Sequence, residues 1–292
     1  MKRRNFLWYS SLFLTGCATA STLPNQASST RELPATLRFA VTDVSGLEEL
    51  EEEYGVLRAA LVEALQTEVE FFPVENYTAA AIALKQGNLE LVLAGPSEYV
   101  IITSRTNAIP IVAVTRPNYY SMIAVPAGSP IKTGADLKGK VIAMAEIGST
   151  SGHLGPTKLL LDAGLDPQTE VEIRMLGDEG SMESFKQGEV DAWGGSALNY
   201  QEFLQDADNS FPILMEGLPL PSDVFIASSS LDPALIEVIR ERLLANEDLL
   251  VDAIAQKLSK YRGSQVVLAK DEDYDPIRDV YRAIGQGDFV LQ

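Results

Sequence analysis

The sequence predicts an α/β protein built as two similar lobes, with a hinge and a cleft between them. Three observations lead there. From about Thr36 onward short β-branched runs alternate with helical stretches, the pattern of sheets covered by helices. The 292 residues suit two domains better than one, and a hydrophobic content of 46% supplies a core for each. A segment of the first half, Lys85-Gln86-Gly87-Asn88-Leu89-Glu90, also returns 101 residues later as Lys186-Gln187-Gly188-Glu189-Val190-Asp191. Each copy reads as a helix end, a glycine cap and a strand, so both halves carry the same unit.

Taken in order, Leu37-Arg38-Phe39-Ala40-Val41 reads as the first strand and Gly46 to Gln66 as a helix. A strand over residues 69–74, a helix from Tyr77 to Gln86 and a strand over 89–93 follow. A short helix from Ser97 and the strand Pro110-Ile111-Val112-Ala113-Val114 complete the first unit. The second unit opens with the strand 120–125 and a short helix at 135–137. It continues with the strand 140–145, a helical run at 157–163, the strand 171–175, a helix from Ser181 to Gln187 and the strand 189–193. After a strand at 211–215, Val224-Phe225-Ile226-Ala227 is expected to return to the first lobe, where two or three helices finish the chain. That assigns residues 36–115 and 223–292 to lobe one and 116–222 to lobe two, with crossovers near 115–120 and 219–223.

Between the strand 140–145 and the helix at 157 lies Gly148-Ser149-Thr150-Ser151-Gly152-His153-Leu154-Gly155-Pro156. Glycines let backbone approach a ligand, three hydroxyls donate hydrogen bonds, and the free N–H groups of a helix's first turn point at the same place. The segment holds no Lys or Arg, so it reads as an anion seat made of dipoles and hydrogen bonds. The repeated strands end in Ala94-Gly95-Pro96 and Gly194-Gly195-Ser196, and ligands of open α/β sheets bind beyond the carboxyl ends of strands. The two loops are therefore expected to face each other across the cleft.

A net charge of −18 argues against nucleic acid or an anionic membrane surface as partner. The only cysteine, Cys17, rules out an intramolecular disulfide. Lys2, Arg3 and Arg4, the apolar run from Phe6 to Leu14, and Leu14-Thr15-Gly16-Cys17 resemble a bacterial lipoprotein signal. Residues 1–16 would be removed, Cys17 lipidated, and 17–35 left as a polar tether; the apolar run is too short to span a bilayer. Removal of residues 1–16 takes the net charge to −21. Arg3-Arg4-Asn5-Phe6-Leu7 also resembles a twin-arginine export signal.

Several segments together resemble the phosphonate-, phosphite- and phosphate-binding proteins of ABC transporters, a branch of the type II periplasmic binding proteins. They are the lipobox, Gly95-Pro96-Ser97-Glu98-Tyr99, the Ser149-Thr150-Ser151-Gly152 turn with Leu154 and Pro156, Pro221-Ser222-Asp223, and Asp273-Tyr274-Asp275-Pro276-Ile277-Arg278. The resemblance implies a type II fold that closes on a phosphorus oxyanion. It implies that Ser149, Thr150 and Ser151 grip the ligand and that Asp223 accepts from a protonated ligand oxygen. Tyr54 matches an aromatic that closes over the ligand, and Tyr99 a second aromatic wall. It further implies a lipid-anchored, periplasmic or outer-face solute-binding lipoprotein, monomeric, serving an ABC permease; the alternative is a sensory lipoprotein reporting occupancy to a membrane receptor. Where many members carry Gly-His this chain has Gly177-Asp178, and Leu198 stands where aminophosphonate binders hold the amine with a glutamate. An aminophosphonate is thereby disfavoured.

Asp223 also has a physical rationale. Phosphate and phosphite can carry a proton at neutral pH and sulfate cannot, so a fixed carboxylate rewards the donor and repels the bare dianion.

An enzyme is not expected, and neither a cofactor nor a metal. Ser129-Pro130-Ile131-Lys132 fits S-x-x-K but lacks the partner motifs, and nucleophile-elbow, P-loop and dinucleotide fingerprints are missing from the sequence. The sole histidine, His153, is expected at the rim of the seat, and the acidic run from Glu48 to Glu53 on a solvated helix face. Trp193, Tyr119 and Tyr120 read as core or hinge packing, with a pocket wall as the alternative; Gly194 and Gly195 read as a tight turn.

Overall fold

Two mixed sheets form the frame of the computed structural model, which describes residues 32–44, 46–204 and 210–286. The expected leader, Cys17 and most of the expected tether lie outside the described residues. The chain runs β1 (Thr36–Val41), α1 (Leu47–Leu65), β2 (Glu68–Phe71), α2 (Tyr77–Lys85), β3 (Leu91–Ala94), α3 (Pro96–Thr106) and β4 (Ile109–Val114). It continues through β5 (Ser121–Ala124), β6 (Val141–Met144), α4 (Gly155–Asp162), β7 (Glu172–Met175), α5 (Gly177–Lys186), β8 (Ala192–Ser196), α6 (Ala197–Asn199) and β9 (Ile213–Glu216). It ends with β10 (Asp223–Ala227), α7 (Pro233–Ala245), α8 (Glu247–Ala255), β11 (Val266–Leu268) and α9 (Asp275–Ala283).

The first sheet has the order β11-β4-β10-β3-β1-β2 and the second β7-β6-β8-β5-β9. In the first, β1 lies parallel to β2 and β3 while β10, arriving from the second sheet, runs antiparallel between β3 and β4. The second mirrors this: β6 is parallel to β7 and β8, and β5, arriving from the first sheet, is antiparallel to β8 and β9. The chain thus crosses twice between sheets, and the crossings pair with each other through Leu220 N–H to Tyr119 C=O at 2.9 Å and Gly217 N–H to Ser121 C=O at 2.8 Å.

Burial explains the frame. β3, β5, β8 and β10 are buried along their whole length, the reading of strands covered on both faces. Phe39 of β1 stacks on Phe71 of β2 and Phe225 of β10, fixing the register of three strands on one face of the first sheet. Each such side chain contributes about 1.5–3 kcal/mol by leaving water. Behind the cleft, Leu154 packs into the same cluster as Ile277, Val280 and Tyr281 of α9, so the final helix touches both halves.

Three expectations change. Gly194 and Gly195 continue β8 instead of turning, because Gly195 lies directly under the Trp193 indole and Gly194 against Pro156. The helix after the seat begins earlier: Thr150–Leu154 forms one π-helical turn that runs into α4. The strand β11 has no counterpart in the sequence reading; it is three residues long and pairs antiparallel with β4.

Candidate functional site

A cavity of about 360 Å³ lies between the two sheets, beyond the carboxyl ends of β1, β3, β6 and β7. The first sheet supplies Thr42 and Asp43 after β1, Gly95, Ser97 and Glu98 at the start of α3, and Asp223 at the start of β10. The crossover after β4 adds Arg116 and Tyr119, and the turn between α8 and β11 adds Lys260 and Tyr261. Across the cavity stand Glu146 to Ser151 after β6 and Asp178 in α5.

The Ser-Thr-Ser segment is held by its own backbone. Ser149 C=O accepts from His153 N–H and Leu154 N–H at 3.1 and 2.9 Å, which opens the π turn and leaves the hydroxyls at its mouth. Ser149 Oγ accepts from Gly152 N–H at 3.2 Å, and Ser151 C=O accepts from Ser121 Oγ at 2.9 Å. His153 is buried rather than at the rim: its Nδ1 accepts from Gly148 N–H at 3.0 Å, and burial pushes its pKa down. Thr150 Oγ1 reaches across to α3, accepting from Ser97 N–H at 3.1 Å and donating to Ser97 Oγ at 2.9 Å.

Opposite them, two acids of the first sheet are held in different ways. Asp43 receives the Tyr54 hydroxyl at 2.8 Å and pairs with Lys260. Burial pushes the Asp43 carboxyl up, but Lys260 and the Tyr54 hydrogen bond outweigh it and leave the group below its ordinary value. Asp223 is only 4% exposed; its Oδ2 accepts from Tyr261 OH at 2.6 Å. Its Oδ1 has no hydrogen-bond partner, the Arg116 Nη1 being 3.6 Å away. Arg116 itself lies over the Tyr119 ring, with Cζ 3.7 Å from the centroid. Burial works against the Arg116 charge, yet Asp223 holds its pKa above the usual value. Thr42 Oγ1 is a second buried wall atom without a partner.

All three hydroxyl residues of the seat, Asp223 and Asp178 thus come together around one space. Asp178 accepts from Asn199 Nδ2 at 2.9 Å, and burial together with Glu146 raises its pKa. The two tyrosines are different, and here the expectation is corrected. Tyr54 is fully buried within α1's packing and reaches the cavity only through Asp43. Tyr99 points to the far side of α3, where its ring meets Tyr274 at 4.2 Å and its hydroxyl donates to Asp271 at 2.6 Å. Neither forms a wall, because a helix presents successive residues on different faces and position 98, not 99, faces the cleft. Gly194 to Ser196 do not line the cavity either.

Sequence reasoning missed Thr42, Asp43, Glu98, Arg116, Lys260 and Tyr261. Thr42 and Asp43 follow a strand end and were findable by the same rule that found Gly95. Lys260 and Tyr261 carry no local signal, since the tertiary fold alone brings their turn to β1 and β10. With them the electrostatics change: the seat has no cation of its own, but Arg116 and Lys260 stand opposite it, each already facing a carboxylate.

An interlobe cavity between two sheets with two crossovers defines a two-lobed binding protein of the type II periplasmic class. The family described as "ABC transporter, phosphonate, periplasmic substrate-binding protein" matches residues 39–274, and the chain belongs to it. The phosphate-import protein PhnD of Mycolicibacterium smegmatis is 23% identical over 286 residues, covering 89% of each chain. Among solved structures, XAC2383 from Xanthomonas citri bound to ATP superposes with a TM-score of 0.71 at 16% identity, over 89% of this chain and all of that one. PhnD1 from Prochlorococcus marinus in complex with methylphosphonate gives 0.66 at 18% identity, over 87% of this chain and all of that one. Members of the family are substrate-binding components of transporters, not enzymes. No helix among the described residues is long and apolar enough to cross a membrane.

Proposed function

We propose that this protein captures a phosphorus oxyanion that still carries a proton, namely phosphate, phosphite or a phosphonate, by closing its lobes, and delivers it to an ABC permease. The observation that carries the reading is Asp223 Oδ1: a buried carboxylate oxygen without a hydrogen-bond partner, in the wall of a cavity whose other side offers Ser149, Thr150 and Ser151. Leaving such an acceptor unpaired costs about 1–3 kcal/mol, which a ligand O–H would return. Ser149 and Ser151 grip the anionic oxygens with their hydroxyls and Thr150 with its backbone N–H, its hydroxyl proton being given to Ser97; Arg116 balances the added charge, and Asp178 borders the end where a substituent or water sits. Tyr54 orients Asp43, which in turn holds Lys260.

Lobe one comprises residues 36–115 with 223–292 and lobe two 116–222, moving about the paired crossovers. Residues 1–16 act as a leader that is removed on export, Cys17 is lipidated and 17–35 form a tether, so the protein works on the periplasmic or outer face of the membrane; it works there as a monomer. The test is calorimetric titration with phosphate, phosphite, methylphosphonate and sulfate. A micromolar or tighter Kd for at least one phosphorus oxyanion, about −8 kcal/mol or better, with sulfate at least about tenfold weaker, supports the reading. Equal affinity for sulfate, or no binding by any of the three, overturns it.

A further inference from the structure

The start of α3 is already occupied by a carboxyl group of the protein itself. Gly95 is the N-cap and makes no side-chain cap, Pro96 has no N–H to offer, and Ser97 N–H is taken by Thr150. The remaining donors go to Glu98. Its carboxylate folds back onto its own backbone N–H and accepts from Ser97 Oγ at 3.0 Å. The fold-back needs Gly95, because a Cβ there would lie 2.5 Å from Glu98 Oε2.

This carboxylate lines the same cavity as the seat and as Asp223 Oδ1, which faces Arg116 but accepts no hydrogen bond. Its surroundings oppose a charge. Asp223 and Asp43 stand on its own side, Glu146 and Asp178 across the cavity, and Arg116 and Lys260, the two cations of the wall, each face another carboxylate. Tyr119 and Tyr261, the other titratable residues of the wall, are held neutral by burial, which pushes the Tyr119 pKa up to about 12 and that of Tyr261 well above its ordinary value.

We propose that Glu98 is a binding residue which must be protonated for an oxyanion to be seated. Ionised, it competes with the ligand for the Ser97 hydroxyl and the first-turn N–H; protonated, it frees them and turns its own O–H toward the incoming oxygen. This rests on the oxyanion reading of the cavity. Burial raises the Glu98 pKa to about 7, which places the switch in the neutral range. Binding of an anion is then linked to uptake of one proton by Glu98, and affinity falls as pH rises through 7.

The experiment titrates inorganic phosphate, phosphite and methylphosphonate into the protein and into Glu98→Gln between pH 6 and 8.5. The ligand's own ionisation is common to both proteins and cancels in the ratio of their Kd values. The ratio of wild-type to Glu98→Gln Kd is expected to be about tenfold larger at pH 8 than at pH 6, the factor a group titrating near 7 imposes. Glu98→Ala, which removes the carboxyl without an isostere, gives the same pH trend and serves where the glutamine variant unfolds. A ratio constant with pH, while the ligands still bind, overturns the role of Glu98 and leaves the oxyanion reading standing. If neither protein binds any of the three ligands at any pH, the oxyanion reading falls and the role of Glu98 falls with it.

Discussion

Thr150 of the second lobe and Ser97 of the first are joined by two hydrogen bonds, Ser97 N–H to Thr150 Oγ1 at 3.1 Å and Thr150 Oγ1 to Ser97 Oγ at 2.9 Å. The pair is a direct latch across the cleft, since both residues are buried and line the cavity. It also means that the one hydroxyl proton of Thr150 is spent on closure, so that in the closed form this residue offers an anion its backbone N–H. Thr150→Val keeps the shape and removes both bonds, at about 0.5–1.5 kcal/mol each. Affinity for the bound oxyanion is expected to fall about five- to hundredfold by calorimetry. Small-angle scattering of the unliganded variant should show a larger radius of gyration than the parent protein; an unchanged radius and affinity would show that the latch does not hold the lobes.

Asp223 is expected to set selectivity through Oδ1, the oxygen that accepts no hydrogen bond. Asp223→Asn keeps an oxygen or an amide toward Tyr261 and replaces a repelling charge by a group that can donate. The preference for phosphate over sulfate should shrink at least about tenfold, with sulfate binding gaining, because a charge-assisted hydrogen bond is worth about 1.5–3 kcal/mol. Competition titrations at pH 7 read this directly. A preference left intact would locate selectivity elsewhere in the cavity.

The sheet elements were legible because their signals are local: β-branched runs, glycine caps and the repeated Lys-Gln-Gly unit all mark their own positions. The seat was legible for the same reason, as a glycine- and hydroxyl-rich turn between a strand and a helix. What local pattern could not give was the opposite wall. Lys260 and Tyr261 belong to a short turn some 37 residues beyond Asp223, and only the pairing of β11 with β4 brings that turn to the cleft. Tyr99 shows the complementary error. The motif Gly95-Pro96-Ser97-Glu98-Tyr99 was recognised, but which of its side chains faces the ligand depends on where α3 begins, and a helix starting at Pro96 turns Tyr99 to Tyr274.

His153 makes the seat sensitive to acid. Its Nδ1 can accept from Gly148 N–H only while the ring is unprotonated at that atom, and burial keeps the folded-state pKa below 6.5. A group with a depressed folded pKa binds its proton more readily in the unfolded chain, so unfolding gains as pH falls from about 6.5 through the folded value. The protein is therefore expected to lose more thermal stability between pH 7.5 and 5.5 than His153→Gln does. Melting curves of the two proteins over that range check it, and parallel losses would remove His153 from the account.

Gly155 is the tightest point beneath the seat. A Cβ built there would lie 1.8 Å from Ser121 Oγ and 2.6 Å from Ser121 Cβ, and Ser121 is the donor that holds the Ser151 carbonyl. Ser121 is buried in β5, within the second sheet, and cannot swing clear. Gly155→Ala should thus cost about 1–3 kcal/mol through overpacking, despite alanine's better helix propensity at this first position of α4. Urea denaturation measures the loss. Because the displaced group anchors the anion loop, oxyanion affinity should weaken in the same variant even under conditions where it is fully folded; retained affinity would mean that the Ser121 bond to Ser151 is not what positions the hydroxyls.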